Sequence, residues 1–477
     1  MTKSARVVII AVIVLSLLTI FSRLYNIEES LLFFIDMGRD ANVLLDWVET
    51  SRPPLLGPQT SALPFNQSAW YFYILFPLFS LTQFSAFSAV YTNLLLYLGV
   101  FIGLLYACRS DARLVKMILI VWLLVIIHPQ FVIQNRFVWN PSFVGPMVLM
   151  SVVSLLQLHK KWRWGWAISL AGSAAAAVSF NYSAAPFFIA LVIMCMWLFK
   201  KRSVFIVGLM AGALLFLNAG TVFFELRHHF PLTQMMLYQP KLAQTGASIN
   251  FKFRDIFSYS LEGPTFPVNV IMAEVVALAI VWSWFAHRSV TFEPQKLEFK
   301  ITTRLLILTL VLTIATPVTI LSHYIFGVLT VLLCVVALLP KPWQIVVICL
   351  LCLSWLQPVR IASYIQPARR TVADMERCFA QVCAEQTQPL FVSVQAGFHP
   401  FHAAQEHHFF HRKMGCTVKQ LDTQINEAEY MSVVVDDSEY EHGKTAYNEL
   451  TQFGPSEVIK TFSCQPNLSV VMLKKLP

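Results

Sequence analysis

Long apolar runs recur along the chain and alternate with short polar connections. Each run has about 15 to 22 residues, close to the about 20 that a helix needs to cross a bilayer, so the pattern predicts a polytopic membrane protein. We predict eleven spans, within Met1–Leu24 and at residues 86–107, 115–131, 143–158, 165–180, 185–199, 203–222, 267–286, 303–321, 324–339 and 343–357. No small-residue cleavage motif follows the first run, which we interpret as a retained span and not as a signal peptide.

Basic residues cluster in every second connection between the predicted spans, at residues 109–116, 159–163, 200–202, 288–304 and 341. Short loops rich in Lys and Arg stay in the cytoplasm, so these connections and the N-terminus are predicted to be cytoplasmic. The remaining loops and the C-terminal region then lie outside. Hydrophobic residues make up 57% of the chain and charged residues 13%. We assign the net charge of +9 to topology, and expect contact with membrane lipid and none with nucleic acid.

Ala69–Leu81 is apolar and aromatic but is not counted among the spans. As a helix of about 13 residues it would cover only about 20 Å. Counting it as a span would also place every later basic cluster outside. We therefore predict a juxtamembrane or re-entrant helix, kinked at Pro77.

The hydropathy falls after Gln357, which predicts a membrane domain at residues 1–357 and a soluble outer α/β domain at residues 358–477. The apolar periodicity predicts a helix at 368–386, strands at 390–394, 430–435, 457–462 and 469–473, and helices at about 400–413 and 444–453.

Four of the nine cysteines lie in this C-terminal region, at Cys378, Cys383, Cys416 and Cys464. An even number of cysteines outside the cytoplasm predicts disulfides. Three pairings are possible, and we favour Cys378 with Cys383 and Cys416 with Cys464. The other five cysteines lie in or beside apolar runs, as expected of small buried side chains.

The first predicted outer loop, Phe33–Phe76, is polar and carries carboxylates. Polar non-helical backbone is not stable in lipid, so the loop is expected at the membrane face or lining a cavity. The apolar stripe Val43, Leu44, Trp47 and Val48 has helical spacing and predicts a helix that lies flat on the membrane.

Asp36 stands at the start of this predicted helix and shares one helix face with Asp40, with Arg39 beside them. One interpretation of Asp36 is an N-terminal cap, because an Asp there satisfies free backbone N–H groups. The other is a general base, a carboxylate held ionised beside a cation.

Two further outer segments are polar, Gln134–Ser142 and Phe223–Pro267, and His323 with Tyr324 forms a polar break between two spans. That break is either a simple turn or a sugar contact. Five histidines fall within residues 399–411, but no acidic or cysteine ligand is clearly placed beside them, so we assign no metal site. Three Asn-x-Ser matches are interpreted as chance occurrences.

The pattern IDMGRDANVLLDWVETSRPPLLGPQTS followed by AWYFYILFPLF resembles the first outer loop of polyprenyl-phosphate-dependent glycosyltransferases of the GT-C fold. That superfamily includes the protein O-mannosyltransferases and the lipid A aminoarabinose transferases. RFVWNP at 136–141 and FELRHHFP at 224–231 are similar to segments of its bacterial members. The likeness covers about residues 5–260 and the general plan of the rest. It implies a GT-C membrane domain with juxtamembrane helices in the first outer loop and an outer C-terminal domain.

The resemblance also implies roles for single residues. Asp36 matches the position of the catalytic base, and Asp40 matches a second acidic position. Met37 stands where many members have Glu, which weakens a metal-binding role for the motif. The donor phosphate is assigned to Arg136, Arg227, Lys241 and Lys252. Substrate binding is assigned to Arg39, Trp139, Asn140, His323 and Tyr324.

The function implied is an inverting transfer of a sugar from a polyprenyl-phosphate donor to a hydroxyl of a protein, lipid or glycan at the periplasmic face of a bacterial inner membrane. One alternative is a transporter or flippase of lipid-linked sugars, although its usual internal symmetry and charged spans are not evident. Another is a polysaccharide polymerase or ligase, whose catalytic loop usually comes late in the chain. The sequence leaves open the sugar, the acceptor, the polyprenyl length and whether a divalent cation assists.

Overall fold

The structure is a computed structural model and describes residues 3–31, 33–60, 66–238, 277, 281, 295–316, 322–356, 364–368, 370–396, 405–419, 424–445 and 448–477. By packing, the chain divides into two compact units. Unit 1 consists of Met1–Tyr25, Pro54–Leu78 and Ala89–Ile361. Unit 2 consists of Asn26–Pro53, Phe79–Ser88 and Ala362–Pro477, so part of the first predicted outer loop packs in one unit with the C-terminal residues.

The elements of the described chain are mostly helices. They are α1 (Lys3–Leu24), α2 (Ile27–Ser30), α3 (Ile35–Thr50), α4 (Trp70–Leu81), α5 (Ser88–Ala107), α6 (Ala112–Ile127), α7 (Pro129–Arg136), α8 (Val144–Lys160), α9 (Trp164–Phe180), α10 (Ala185–Phe199), α11 (Ser203–Leu217), α12 (Ala219–Arg227), α13 (Pro231–Tyr238), α14 (Gln295–Ala315), α15 (Phe326–Ala337), α16 (Lys341–Leu353), α17 (Val372–Glu385), α18 (Gln405–Lys413) and α19 (Asn448–Phe453). The strands are β1 (Leu56–Gln59), β2 (Asn66–Ser68), β3 (Leu390–Ala396), β4 (Val418–Lys419), β5 (Tyr430–Asp436), β6 (Ser456–Gln465) and β7 (Leu468–Lys475).

The helices of unit 1 follow the predicted spans. Among the described residues, 4 helices are long and apolar enough to cross a membrane, or up to 5 if the bent pair α6–α7 is one span. The apolar helices α4, α9, α15 and α16 are shorter. Each predicted span within the described residues coincides with a helix, and the span predicted at 267–286 lies outside them except at residues 277 and 281. The short helix predicted at Ala69–Leu81 is α4, with Pro77 inside it.

Two predicted spans end earlier than expected. The span predicted at 115–131 breaks where α6 ends at Ile127, and α7 departs at an angle of 68°. His128 is extended, as a residue before proline prefers to be, and Pro129 starts α7 at a position where its missing N–H costs nothing. The span predicted at 203–222 ends at Leu217, because the backbone of Asn218 leaves the helical conformation before α12 begins.

Small side chains let the helices of unit 1 approach one another. The hydroxyls of Ser151 on α8 and Ser173 on α9 lie 2.7 Å apart, and those of Ser154 and Ser169 lie 2.8 Å apart. In a membrane, close approach and interhelical hydrogen bonds replace the hydrophobic effect as the source of association. Close packing and interhelical hydrogen bonds therefore stabilise the pair α8–α9.

Strands β1 and β2 form an antiparallel pair within unit 1. The hydroxyl of Tyr182 donates to the carbonyl of Asn66 at 2.8 Å, and the hydroxyl of Ser68 donates to the carbonyl of Leu217. A Cβ at Gly220 would stand 2.1 Å from the carbonyl oxygen of Leu55, so α12 lies against the start of this segment. The strand pair is thus attached to the residues that follow α9 and α11.

Unit 2 contains a five-stranded sheet with the order β4-β3-β5-β7-β6. Strand β3 is parallel to β4 and β5, whereas β7 is antiparallel to β5 and β6. The buried side chains of Phe391, Met431, Val433, Phe453 and Leu473 belong to its core. Each strand and helix predicted for the C-terminal region coincides with an observed element, but the helices predicted at 368–386 and 444–453 begin later, at Val372 and Asn448. Strand β4 has two residues, too few to leave a period in the sequence.

Two disulfides join the four C-terminal cysteines, and the favoured pairing was wrong. The bonds are Cys378–Cys464 and Cys383–Cys416. Cys378 and Cys383 both lie on α17, five positions apart, so they point to different faces of one helix and cannot reach each other. Each instead bonds to the chain segment that its own face meets, Cys378 to Cys464 of β6 and Cys383 to Cys416, which lies between α18 and β4.

Candidate active site

Helix α3 of unit 2 carries the predicted acidic motif in its first two turns. Its N-cap is Phe34, which is extended and makes no side-chain cap, and the helix begins at Ile35. Asp36 therefore does not serve as the N-cap, and it lies one residue inside the helix. A negative charge in the first turn interacts favourably with the helix dipole.

Arg39 binds both carboxylates of the motif. Its Nη1 lies 2.7 Å from Oδ1 of Asp36, and its Nε and Nη2 lie 2.8 and 2.7 Å from Oδ1 of Asp40. Asp40 is buried, whereas the side chains of Asp36 and Arg39 are 28% and 27% exposed. The structure thus brings together the three residues as their spacing predicts. Solvent or a substrate can reach Asp36 but not Asp40.

The buried face of α3 differs from the predicted stripe. Val48 is exposed, and Val43 and Trp47 are half-buried. The buried apolar positions are Met37, Ala41, Leu44 and Leu45. The helix therefore buries a face that begins beside the acidic motif, and this face includes the surface toward α18.

Helix α18 packs along α3. A Cβ at Gly38 would stand 2.4 Å from the backbone nitrogen of Glu406, and Nδ2 of Asn42 donates to the carbonyl of Gln405 at 2.8 Å. The ring of Phe33 lies 5.1 Å from that of Phe409. The first turns of the two helices are thus in direct backbone contact.

Arg412 holds the other end of this helix pair. Its side chain is only 4% exposed, and its Nη2 lies 2.7 Å from Oδ1 of Asp46 and 2.9 Å from Oε2 of Glu49. Its Nη1 donates to the carbonyl and side-chain oxygens of Asn42 at 3.3 and 3.2 Å. One arginine therefore satisfies three residues of α3.

Glu406 brings a further carboxyl to this region. Its Oε2 atom is buried and has no hydrogen-bond partner among the described residues. Burial, together with the negative charges of Asp436 and Asp36, raises the pKa of Glu406 to about 7. Burial alone disfavours an ionised carboxyl, and each neighbouring carboxylate adds to the effect. Glu406 therefore changes its charge near neutral pH.

The histidines of α18 pack inside unit 2. His407, His408 and His411 are buried. Nδ1 of His411 lies 2.7 Å from the carbonyl of His407, and its Nε2 lies 2.9 Å from the hydroxyl of Ser432. Burial lowers the pKa of His407 and of His411 to about 3. His399 and His402 lie outside the described residues, and within the described ranges no group of three or more His, Cys, Asp or Glu is placed to hold a metal ion.

In unit 1 the structure brings together three of the residues assigned to substrate binding. The ring of His323 lies 4.3 Å from that of Trp139 and 4.2 Å from that of Tyr324. Nε1 of Trp139 donates to Oε1 of Gln134 at 2.6 Å. Nδ2 of Asn140 donates to the carbonyl of Phe180 at 2.7 Å, which ties this loop to the end of α9.

The cations assigned to the donor phosphate differ in their surroundings. Arg136 is buried, and its Nη1 donates to the carbonyl of Tyr25 at 2.7 Å. Arg227 is exposed at the end of α12. Lys241 and Lys252 lie outside the described residues.

Sequence reasoning missed Glu406 and Arg412. Both lie within the helix predicted at about 400–413, but neither was assigned a role from the sequence. The contacts of Gln405 and Arg412 with α3 join positions 363 to 370 residues apart. No local period connects segments so distant, and the one available signal was an acidic residue in the first turn of a helix.

The fold and the site define a multi-spanning membrane protein with an acidic helix after its first apolar helix and an α/β region after its last. Among the solved structures that share this fold are two of ArnT from Cupriavidus metallidurans. The structure with undecaprenyl phosphate bound is 12% identical, with a TM-score of 0.62 over 99% of this chain and 98% of that chain. The apo structure is 11% identical, with a TM-score of 0.62 over 100% of this chain and 99% of that chain.

No family model matches the chain, and no curated protein matches it. At such low identity the likeness to ArnT establishes the fold, which is the GT-C fold that the resemblance implied. The predicted fold class is therefore confirmed.

Proposed function

We propose that the chain is a membrane glycosyltransferase that moves a sugar from a polyprenyl-phosphate donor to a hydroxyl acceptor. The observation that carries the proposal is the ion-paired motif of Asp36, Arg39 and Asp40 in a chain that shares its fold with ArnT over almost its full length. ArnT was solved with undecaprenyl phosphate bound, which supports a lipid-phosphate donor here.

In the proposed reaction Asp36 is the general base. Its carboxylate takes the proton of the acceptor hydroxyl while the hydroxyl oxygen attacks the anomeric carbon of the sugar. The bond from that carbon to the phosphate oxygen breaks on the opposite face, its electron pair leaves with the phosphate, and the configuration inverts. Arg39 orients Asp36 through Oδ1, and the buried Asp40 fixes Arg39 in turn. A base positioned in this way contributes about 10²- to 10⁴-fold to a rate.

The departing phosphate needs cations, which we assign to Arg136, Arg227, Lys241 and Lys252. Guanidinium groups bind phosphate through charge-assisted and often bidentate bonds. Trp139, His323 and Tyr324 offer a continuous aromatic surface, and burial lowers the pKa of His323 to about 4, so its ring is neutral at pH 7. A neutral aromatic surface suits the apolar face of a sugar. The role of Asn140 as a substrate ligand stays a prediction.

The proposed location is a bacterial inner membrane, with the N-terminus in the cytoplasm and the C-terminal region in the periplasm. The basic clusters of the connecting loops support this orientation. The two disulfides of unit 2 are consistent with it, because disulfides persist in oxidising compartments.

The test is transfer by the purified full chain in lipid nanodiscs. Undecaprenyl-phosphate-linked pentoses and hexoses are supplied with candidate hydroxyl acceptors, and new glycosidic bonds are detected by mass spectrometry. We expect Asp36→Asn to lower transfer by about 10²-fold or more, because it removes the base. Binding of undecaprenyl phosphate alone should persist in this variant.

Glu28→Gln is the matched control, since Glu28 is an exposed carboxylate in α2 of the same loop region. It should leave transfer unchanged. Undiminished transfer by a well-folded Asp36→Asn protein would refute the base assignment. Donor movement across vesicles without any new glycosidic bond would instead favour the transport alternative.

A further inference from the structure

The contact between α3 and α18 places Glu406 at the acidic motif. The backbone nitrogen of Glu406 is where a Cβ of Gly38 would clash, at 2.4 Å, and Gly38 lies between Asp36 and Asp40 in the first turns of α3. Arg412 secures the opposite end of α18 to α3. The backbone of Glu406 is therefore held beside the motif by two packed helices and not by a flexible loop, and its carboxyl is near enough for the charge of Asp36 to act on it.

Nothing in the proposed reaction so far uses this carboxyl. Its buried Oε2 has no hydrogen-bond partner among the described residues. A buried polar atom without a hydrogen bond is unfavourable, and a catalytic role is one reason why a native protein keeps such an atom. Strongly perturbed carboxyls beside a second carboxylate are frequent at catalytic sites, where their surroundings separate their roles.

The charges around Glu406 come from several elements. Asp36 on α3 and Asp436 at the end of β5 are the two carboxylates that act on it. The cations of the region are engaged elsewhere, Arg39 with Asp36 and Asp40, and Arg370 with Asp436 at 2.7 Å. On α18 itself His407 and His411 are neutral, and Lys413 at the far end pairs with Glu376 of α17.

We propose that Glu406 receives from Asp36 the proton that Asp36 takes from the acceptor, and so completes the proton path of the transfer. This inference rests on the proposed function. The acceptor O–H bond breaks and its proton goes to the Asp36 carboxylate as the new carbon–oxygen bond forms. Asp36 then passes the proton to the Glu406 carboxylate and is again ionised. Glu406 releases the proton to solvent before the next turnover, so no other reactant is needed.

The path requires Glu406 to be ionised before each turnover. With its pKa at about 7, against about 4.3 for an unperturbed Glu, it is mostly neutral at pH 6 and mostly ionised at pH 8. Transfer by the wild type should therefore rise with pH between 6 and 8. A rise of this kind would report the titration of the Glu406 carboxyl.

The first arm of the test needs no donor. Infrared difference spectroscopy of the full chain in nanodiscs follows the carbonyl band of protonated carboxyls as the pH is raised. A band should disappear near pH 7 in the wild type, be absent in Glu406→Gln, and move to lower pH in Asp36→Asn, because that variant removes a repelling charge. Glu376→Gln is the matched control, a carboxyl of the same unit that pairs with the far end of α18, and should leave the band unchanged.

The second arm measures transfer from undecaprenyl-phosphate-linked sugars between pH 6 and 8. Glu406→Gln is isosteric, and we expect it to lose the rise with pH and to fall about 10-fold or more below the wild type at pH 8, with an unchanged KM for the donor. Glu406→Asp, which restores a titrating carboxyl, should recover part of the rise.

The outcomes separate the two proposals. Two results would each overturn the proton path and leave the proposed function standing. One is a carbonyl band that disappears at the same pH in Asp36→Asn as in the wild type. The other is a pH profile of transfer by Glu406→Gln equal to that of the wild type. If the wild type forms no glycosidic bond with any donor, the proposed function falls and the proton path falls with it.

Discussion

The two units hold together in different ways. Unit 1 is built from apolar helices whose neighbours in space are often neighbours in sequence, as α8 and α9 are, and the polar contacts of α8 with α9 are between small hydroxyls. Unit 2 joins residues 26–53 to residues 362–477 through a close glycine contact and a buried arginine, and two disulfides link separate segments within residues 362–477. The contacts that position the helix of Asp36 are thus few, long-range and partly charged.

The difference indicates which substitutions should disturb the candidate active site. A helix in unit 1 gains its stability from apolar packing spread over its length, so a single substitution removes only a small part of that stability. The position of α3 depends on a few contacts with α18, and these contacts also carry Glu406. Changes in the contacts of α3 with α18 should therefore affect stability and transfer together, and single changes in the packing of α8 with α9 should affect neither strongly.

The largest effect is expected from removing a disulfide of unit 2. The Cys378–Cys464 bond closes a loop with a sequence separation of 86 residues. Replacing both cysteines by Ser should cost about 2–5 kcal/mol, because the unfolded chain regains the freedom that the bond removed. Pulse proteolysis of the full chain in urea, with fragments of each unit identified by mass spectrometry, measures the loss.

The control is Cys349→Ser, a free and exposed cysteine on α16 of unit 1. Its stability should equal that of the wild type. If the double Ser variant were as stable as this control, the view that unit 2 depends on a few long-range links would be wrong.

A smaller effect is expected at Gly38. In Gly38→Ala the new Cβ would meet backbone atoms of Gln405 and Glu406 within 2.7 Å, and a backbone contact cannot yield as a flexible side chain can. We expect a loss of about 1–3 kcal/mol, as for other overpacked sites. Because α18 must shift away from the motif, transfer should fall as well, measured as kcat with undecaprenyl-phosphate-linked donors.

Gly99→Ala in α5 is a matched control, since nothing lies within 4 Å of its added Cβ. Both substitutions gain the same helix propensity of about 0.8–1 kcal/mol, so that gain cancels in the comparison. Equal stability of the two variants would contradict the close contact between α3 and α18.

The same contrast explains what the sequence could predict. Apolar runs, basic clusters and strand periods are local, and they predicted the helices of unit 1 and the strands of the C-terminal region. The ion pairs of Arg39 with Asp36 and Asp40 also follow from spacing on one helix. Local reasoning failed at His128, where a single X-Pro step bends a predicted span by 68°.

The contacts that surround the motif were beyond local reasoning. Arg412 and Asp46 are 366 residues apart, and only the folded chain shows that they meet. The cysteine pairing failed for the same reason, since the correct partners depend on which strand or turn each face of α17 meets. A residue such as Glu406 acquires its raised pKa from Asp36 and Asp436, which no pattern around position 406 reveals.

The smallest expected effect lies in unit 1, at the hydroxyl pair of α8 and α9. Each hydroxyl also lies within hydrogen-bond distance of a carbonyl on its own helix, Ser151 of Met147 at 2.9 Å and Ser173 of Ser169 at 2.6 Å, so each can donate there when the other is removed. A double-mutant cycle with Ser151→Ala and Ser173→Ala should give a coupling of about 0.6 kcal/mol, the average for such bonds in membranes. Unfolding in mixed detergent micelles measures it. A coupling above about 2 kcal/mol, beyond the largest found for such bonds, would mean that unit 1 also depends on single polar links. The contrast between the units would then be one of sequence distance alone.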